Sequence, residues 1–317
     1  MTLELGWHVG TGDGLDVTSH LQATIAAGHF AITAEIVPPT AVEEHLFLDK
    51  AKPLHGLADA VNVTDGAGAK AHMCSLAAAA LLHGAGIEPV LQLTCRDRNR
   101  IALQGDLMGA AALGIRNLLI LRGDDPTAGD QPDAKPVFDL DSRDLMQTAV
   151  GIRDRGELPS GRAVEGKAPF FLGAADAPVD PPHDWEPVGL KAKIEAGARF
   201  AQTQFCMDTG VVRRYVARLA EHGITEQLAI LIGVAPLASA KSARWMREKL
   251  YGVVIPDAIV ERMEKTSDPK AEGRAICVEL LQELAEIDGV AGAHIMAPLN
   301  DEAIPAVIQA SGLTRGR

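Results

Sequence analysis

The chain has 317 residues, of which 47% are hydrophobic and 23% charged, and this composition excludes bulk disorder. Its 30 Lys and Arg against 42 Asp and Glu give a formal net charge of -12, which argues against binding to nucleic acid or to an anionic membrane, because both need clustered positive charge. No window approaches the ~20 apolar residues of a membrane helix, and the N-terminal residues lack the features of a secretion signal, so we expect a cytoplasmic protein.

Short aliphatic runs alternate with longer helical stretches along the chain. The predicted strands are 31–37, 58–64, 87–93, 117–121, 168–173, 199–205, 228–233 and 291–296. The helices that follow them are 41–52, 71–83, 100–113, 141–155, 190–196, 210–222, 240–250 and 302–310. Eight such units without a break in composition predict a closed (β/α)₈ TIM barrel of the α/β class, as a single domain over 1–317. An open, doubly wound sheet is the alternative.

Three further helices are predicted outside this alternation. Two of them, 257–265 and 271–287, are inserted before the last strand. The third, 17–28, belongs to an N-terminal extension over 1–30 and would cover the barrel or a subunit contact.

Two long, Pro-containing links follow the fourth and fifth predicted strands, at 123–140 and 174–189. Both lie at the carboxyl ends of strands, where barrel enzymes place their active sites. Polar residues at these strand ends are therefore candidates for the active site.

Glu35 lies in an apolar strand, which is a costly place for an unpaired carboxylate. It either points outward or pairs with an arginine, or it is a shielded carboxyl group that can donate a proton. Thr64 precedes a Gly-rich turn that would let the backbone approach a ligand, although short Gly turns are common in such links. Gln92 ends the third strand.

The fourth strand ends at Arg122, Gly123 and Asp124. This tripeptide places a cation, a flexible backbone and an anion next to one another. Arg122 would hold a phosphate or form a salt bridge with a neighbouring carboxylate. A buried Gln204 would suit a planar heterocycle, or it would form an internal hydrogen bond. His294 lies in the last strand, and we expect it to be a core residue whose ring nitrogens are hydrogen-bonded.

The cysteines show neither a CxxC pair nor the spacing of a zinc site, so we expect reduced, mostly buried thiols and no metal. They are Cys74, Cys95, Cys206 and Cys277. No nucleophilic triad and no phosphate-binding loop stands out. The residues alone therefore indicate an acidic barrel enzyme whose mouth is lined by carboxylate, amide and arginine groups.

These strand ends resemble the methylenetetrahydrofolate reductase family over nearly the whole chain from residue 31. The stretches that carry the resemblance are AEIVPP at 34–39, VNVTDGAGA at 61–69, the block from QLTCRDRNR to LRGDDP at 92–126, KPVFDLDS at 135–142, KIEAGARFAQTQF at 193–205 and GVAPLASAKSA at 233–243. The block through the third and fourth strands is the most specific of them. The resemblance implies a (β/α)₈ barrel, in agreement with the strand count.

The resemblance implies reduction of 5,10-methylenetetrahydrofolate to 5-methyltetrahydrofolate by NAD(P)H as co-substrate, usually through bound FAD. Glu35 matches the family's general acid, which helps to open the methylene bridge to an iminium cation. Asp124 matches the aspartate that contacts the pterin and stabilises the cation, and Gln204 matches the glutamine that binds the pterin. Leu299 lies near a position that touches the substrate.

The cofactor site implied by the resemblance holds the flavin, its ribityl chain and its phosphates. Its residues would be Thr64, Gln92, Arg122, Gly123, Asp124, Phe138 and Lys193. The partner implied is a tetrahydrofolate derivative, and because the family commonly forms oligomers, a homo-oligomer is expected.

The chain departs from the family pattern at several positions. Gln92 stands where bacterial enzymes have a flavin-contacting His, Gly189 and Ala192 stand for Asn and Arg, and Ala240 replaces a Phe. These departures keep two alternatives open: direct hydride transfer without flavin, and a folate-binding partner subunit with little reductase activity. A third alternative is a folate-dependent methyltransferase on a similar barrel, which would need a corrinoid or thiol partner for which no motif is visible. The reaction could also run toward oxidation of methyl-folate in one-carbon catabolism.

Overall fold

The computed structural model describes residues 18–298 and 300–313, and its centre is a closed barrel of parallel strands. The strands pair in chain order, and β1 closes the barrel against β8. They are β1 (Ala31–Ile36), β2 (Ala60–Val63), β3 (Pro89–Thr94), β4 (Asn117–Leu121), β5 (Phe171–Asp176), β6 (Phe200–Phe205), β7 (Ala229–Val234) and β8 (Gly292–Ile295). The predicted (β/α)₈ TIM barrel is confirmed.

A helix follows each strand and packs around the barrel. In the described residues the α-helices are α1 (His20–Ala26), α2 (His45–Ala51), α3 (Ser75–Gly84), α4 (Arg100–Ala112), α5 (Ser142–Val150), α6 (Val188–Glu195), α7 (Thr209–Glu221), α8 (Ala240–Lys249), α9 (Asp257–Lys265), α10 (Pro269–Leu284) and α11 (Ile304–Ser311). The extra pair before the last strand is α9 and α10, as the sequence predicts. None of the helices within 18–298 and 300–313 is long and apolar enough to cross a membrane.

Helix α1 covers the amino-terminal ends of the strands, which we call the lower end of the barrel. Leu21 and Ile25 of α1 are buried against an apolar layer inside the barrel. This layer consists of Ala31, Ala60, Val90, Leu119, Phe171, Phe200, Ala229 and Leu231. The helix is shorter than the predicted 17–28, and Val17 lies outside the described residues.

Polar contacts hold α1 in place. The Glu88 carboxylate accepts hydrogen bonds from the backbone N–H groups of His20 and Leu21 at 2.6 and 2.8 Å, and from the Asn117 amide at 2.9 Å. The Ser19 hydroxyl caps the helix and also donates to Asn117 at 2.7 Å. The lower end is therefore closed by both packing and hydrogen bonds.

Strand β5 lies further along the chain than the predicted 168–173, and this is a correction. The predicted strand ended at Gly173, because the aliphatic runs were bounded at residues such as glycine. In the structure a Cβ on Gly173 would lie 2.3 Å from the Phe200 ring, so the glycine makes room for a large neighbour. The strand continues to Asp176, which places that carboxylate at the mouth of the barrel.

Candidate active site

A cleft of about 1210 Å³ opens at the carboxyl ends of the strands, which we call the upper end. This volume exceeds the roughly 300–1,000 Å³ typical of a pocket for one small ligand. Residues predicted for the site that line it are Glu35, Thr64, Gln92, Arg122, Gly123, Asp124, Lys193 and Gln204. Phe138 contacts Arg122 at its edge, and Leu299 lies outside the described residues.

Glu35 points into the barrel, so the outward orientation considered from the sequence is wrong. Its side chain is 20% exposed. The Gln92 amide donates to Oε2 of Glu35 at 2.8 Å, and Nε2 of His294 lies 3.5 Å from the same oxygen. Both contacts meet one carboxyl oxygen, which fixes the group in the floor of the cleft.

A layer of buried polar side chains lies directly below Glu35. Nδ1 of His294 is 2.9 Å from the Thr33 hydroxyl, which accepts a hydrogen bond from the Gln202 amide at 2.9 Å. Gln202 and Asn62 in turn pair through both of their amide groups. His294 is thus a hydrogen-bonded core residue, as expected, but it also reaches Glu35. The sequence analysis missed this layer.

Gly123 brings the backbone after β4 close to β3. Its φ is +91°, and an added Cβ would lie 3.0 Å from the Cβ atoms of both Thr94 and Arg96. Glycine is therefore required here, and the backbone next to Asp124 is held at the wall of the cleft. The Asp124 side chain is exposed to the cleft.

Arg96, which the sequence analysis did not single out as a site residue, supports the same wall. Its side chain is buried and forms two hydrogen bonds of 2.8 Å with the Asp97 carboxylate. Further N–H groups donate to the backbone carbonyls of Gly66 and Asp124. The bond to Asp97 raises the pKa of the Arg96 guanidinium, so the group stays charged. Arg96 thereby links the loop at Gly66 to the loop at Asp124.

Arg122 is exposed and lies over the Phe138 ring, with 4.3 Å between the guanidinium carbon and the ring centroid. This is the geometry of a cation–π contact. In the described part of the chain no ion pair joins Arg122 and Asp124, so the salt bridge considered between them does not form. The guanidinium remains available to an anionic ligand.

Lys193 of α6 donates to the Ala175 carbonyl at 2.6 Å and lies 3.5 Å from the Asp176 carboxylate. The Tyr215 hydroxyl donates to the other oxygen of Asp176. Burial raises the pKa of Tyr215, so the phenol stays protonated. Asp176 was missed because the predicted strand stopped short of it, and it orients the Lys193 ammonium at the cleft.

Thr64 and Gln204 offer polar atoms to the cleft. Thr64 is buried, and its hydroxyl has no hydrogen-bond partner among the described residues. A buried hydroxyl is costly to leave unpaired, so its position favours a polar ligand. Gln204 turns its Oε1 to the backbone N–H of Phe205 at 3.0 Å, which orients the amide in the cleft wall.

A sequence model described as methylenetetrahydrofolate reductase matches residues 20–312. The chain belongs to this family. The match includes α1, which the sequence analysis had left outside the resemblance.

Relatives within the methylenetetrahydrofolate reductase family are distant in sequence. A probable methylenetetrahydrofolate reductase (NADPH) of Caenorhabditis elegans is 27% identical over 244 residues, which are 74% of this chain and 34% of that protein. A 5,10-methylenetetrahydrofolate reductase of Pectobacterium carotovorum subsp. carotovorum is 26% identical over 213 residues, or 66% of this chain and 64% of that protein. The chain thus spans about a third of the worm relative.

The fold also matches a solved structure. An uncharacterized protein from Clostridium thermocellum, which binds two copies of 5-methyl-5,6,7,8-tetrahydrofolic acid, aligns with a TM-score of 0.61 at 14% identity. The alignment covers 91% of this chain and 97% of that one. At this identity the match supports the barrel fold alone.

Two of the departures from the family pattern lie on one helix, α6. Gly189 lines the cleft from α6, and Ala192 lies on the same helix. Ala240 begins α8. Gln92, in contrast, has a defined task, because it donates to Glu35. The floor of the cleft is thus densely hydrogen-bonded, while the side formed by α6 lacks the expected arginine.

Proposed function

We propose that this chain catalyses the NAD(P)H-dependent reduction of 5,10-methylenetetrahydrofolate to 5-methyltetrahydrofolate. The observation that carries the proposal is the Glu35 carboxyl group, held by Gln92 and His294 at the floor of a large cleft. Membership in the methylenetetrahydrofolate reductase family and the printed names of its relatives support the substrate. The folate bound by the structural neighbour is consistent with it.

Glu35 acts in this proposal as the proton donor. We assign the transferable proton to Oε1, because the Gln92 amide donates to Oε2 and Nε2 of His294 lies against the same oxygen. That proton passes to a nitrogen of the methylene bridge as the carbon–nitrogen bond breaks, which leaves an iminium cation on the folate. The exposed carboxylate of Asp124 stabilises this cation, and the Gln204 amide holds the pterin.

The residues around the cleft fit a bound FAD. The unpartnered Thr64 hydroxyl and the close backbone at Gly123 would face the flavin and its ribityl chain, and the cations of Arg122 and Lys193 would face the phosphates. Gln92, Asp124 and Phe138 would complete this site. Bound FAD would accept hydride from NAD(P)H and pass it to the folate.

Two alternatives draw on the residues of the α6 side. Gly189 and Ala192 stand where relatives have Asn and Arg, so side chains that would hold a flavin are missing here. This loss favours direct hydride transfer from NAD(P)H to the folate. The same loss, with Ala240, favours a folate-binding partner subunit. The retained Glu35 argues against the second alternative, because a protein that only binds folate needs no acid. A homo-oligomer remains our expectation from the family resemblance, and a cytoplasmic location remains our expectation from the sequence.

The test is an absorbance spectrum of the purified chain, with and without added FAD, followed by assays with each coenzyme. Flavin bands, with NADH or NADPH consumed on addition of methylenetetrahydrofolate, would support the flavin route. Turnover without flavin would establish direct transfer. Absence of turnover with both coenzymes, in the presence of FAD, would overturn the proposed reductase activity.

A further inference from the structure

Two buried amides lie one layer below Glu35, inside the barrel. Gln202 of β6 is 3% exposed and Asn62 of β2 is fully buried. The Asn62 amide donates to Oε1 of Gln202 at 2.6 Å, and the Gln202 amide donates back to Oδ1 of Asn62 at 2.9 Å. The second N–H of Gln202 points to the Thr33 hydroxyl at 2.9 Å. The pair therefore presents a donor, and not an acceptor, to Thr33.

This direction occupies one of the two acceptor sites of the Thr33 hydroxyl. Because its oxygen accepts from Gln202, its own proton is free to be donated. Two acceptors lie within reach, Nδ1 of His294 at 2.9 Å and the Ala293 carbonyl at 3.3 Å. The shorter contact is to His294. A Nδ1 that accepts a hydrogen bond places the proton of a neutral imidazole on Nε2.

Nε2 of His294 is the atom that faces Oε2 of Glu35. With a proton on Nε2, the histidine donates to this oxygen, as Gln92 does, and the acidic proton of Glu35 stays on Oε1. In the opposite tautomer a lone pair on Nε2 would face Oε2 and draw the carboxyl proton to that oxygen. The proton would then be on the atom that faces the core.

We propose that Gln202, oriented by Asn62, is a positioning residue that sets the tautomer of His294 through Thr33 and thereby keeps the acidic proton of Glu35 on Oε1. The part of this proposal that concerns catalysis rests on the proposed function. The part that concerns the tautomer does not. No proton is transferred along the chain of contacts, because an amide N–H does not ionise; the chain only selects which nitrogen carries the proton.

Other charged groups surround Glu35 and bear on any pH dependence. His294 faces it from β8, and Asp301 interacts with it electrostatically. The other ionisable residues that line the same cleft are Asp65, Arg96, Arg122, Asp124, Asp176, Glu186, Lys193 and Tyr251. The tautomer is therefore best measured directly and not deduced from a rate profile.

The experiment is ¹⁵N NMR of the full chain with labelled histidine, because the two ring nitrogens give distinct shifts when protonated or bare. The His294 signal is assigned by its loss in His294→Asn. We expect wild type to show a protonated Nε2 and a bare Nδ1. Gln202→Glu turns an acceptor toward Thr33 and should reverse this pattern. Gln202→Met removes the donor and should give a mixture, and it keeps the test open if the charged variant fails to fold.

Two controls separate orientation from simple destabilisation. Thr33→Ser keeps the hydroxyl and should keep the wild-type tautomer. Asn117→Ala removes another buried amide, at the lower end of the barrel, and should lower stability without changing the His294 signal. A bare Nε2 in the wild type, or a wild-type pattern in both Gln202 variants, would overturn the proposal.

Steady-state turnover is the second measurement that tests the role of Gln202. Gln202→Met should lower kcat by about 10- to 100-fold through misplacement of the proton, with little change in the KM for folate. If Glu35→Gln retains full turnover, the role proposed for Glu35 fails while the tautomer result still stands. If Glu35→Gln is inactive but Gln202→Met turns over like wild type, the positioning role of Gln202 is wrong.

Discussion

The two ends of the barrel use polar residues in opposite ways. At the lower end, the Glu88 carboxylate is engaged by the α1 backbone and by Asn117, and the apolar layer beside it excludes water. At the upper end, the Thr64 hydroxyl is unpartnered and the Arg122 guanidinium is exposed. The polar groups named at the lower end are paired within the protein, whereas these two at the upper end are open to the cleft.

This contrast suggests that residues at the lower end of the barrel serve stability and residues at the upper end serve function. The same chemical group, a glutamate carboxyl, occurs at both ends as Glu88 and Glu35, but only Glu35 opens onto the cleft. Substitutions at the lower end should therefore change the free energy of unfolding, and those at the upper end should change turnover or ligand affinity.

Glu35→Gln should lower the rate of folate reduction by about 10²- to 10⁴-fold, because it removes the general acid without changing the shape of the side chain. The measurement is steady-state turnover with NAD(P)H and methylenetetrahydrofolate, together with thermal unfolding. Glu88→Gln is the matched variant at the lower end. It should cost about 1.5–3 kcal/mol of stability through weakened charge-assisted bonds and leave kcat unchanged. An active Glu35→Gln enzyme would contradict the division.

Leu21→Ala should lower the free energy of unfolding by about 2–5 kcal/mol, because Leu21 is fully buried in the apolar layer at the lower end. Urea unfolding followed by circular dichroism measures this loss. At a temperature where the variant is folded, kcat and KM should equal those of wild type. A large change in KM would show that α1 influences the cleft.

Arg122→Met should weaken FAD binding only modestly. The exposed guanidinium would face the cofactor's phosphates, and an exposed ion pair contributes at most about 1 kcal/mol, so we expect a rise in Kd of up to about fivefold, measured by flavin fluorescence. Arg143→Met is a suitable control, since this exposed arginine lies on α5 and pairs with Asp141. An unchanged Kd for Arg122→Met would remove this residue from the proposed cofactor site.

Thiol labelling should distinguish exposed from buried positions without perturbing the protein. Cys74 is exposed, whereas burial raises the pKa of Cys95 to about 11 and that of Cys206 to about 12. At pH 8 these two thiols stay protonated as well as shielded, because the pH lies well below both pKa values. Cys277 is fully buried. We expect one thiol to react in the native chain and all four after unfolding, as counted by mass spectrometry.

The repeating architecture was predictable because its signal is local. Aliphatic runs bounded by Gly, Pro and Asp located all eight strands, and the bounds of β4 and α9 agree with the prediction at both ends. The error at β5 has a tertiary cause. Only the Phe200 ring, brought in from the next strand, explains why Gly173 lies within a strand.

The site was predictable only in part. Polar residues at strand ends, such as Glu35 and Thr64, stand out in the sequence, and the structure brings them into one cleft. The layer formed by Thr33, Asn62 and Gln202 does not stand out, because its meaning depends on which residues of neighbouring strands face the interior together. That information lies in the register of the barrel, which no single stretch of sequence contains.

Closure of the lower end by α1 has a consequence for how occupancy can be observed. The helix and the apolar layer cover the lower end, whereas Gln202, which pairs with Asn62, lines the cleft at the upper end. A ligand bound above Glu35 would block solvent access from the cleft and slow the exchange of the side-chain amide protons of Gln202 and Asn62 with deuterium. Exchange at the α1 backbone would stay the same. Slower hydrogen–deuterium exchange of these side-chain amides would therefore detect a bound ligand without any turnover.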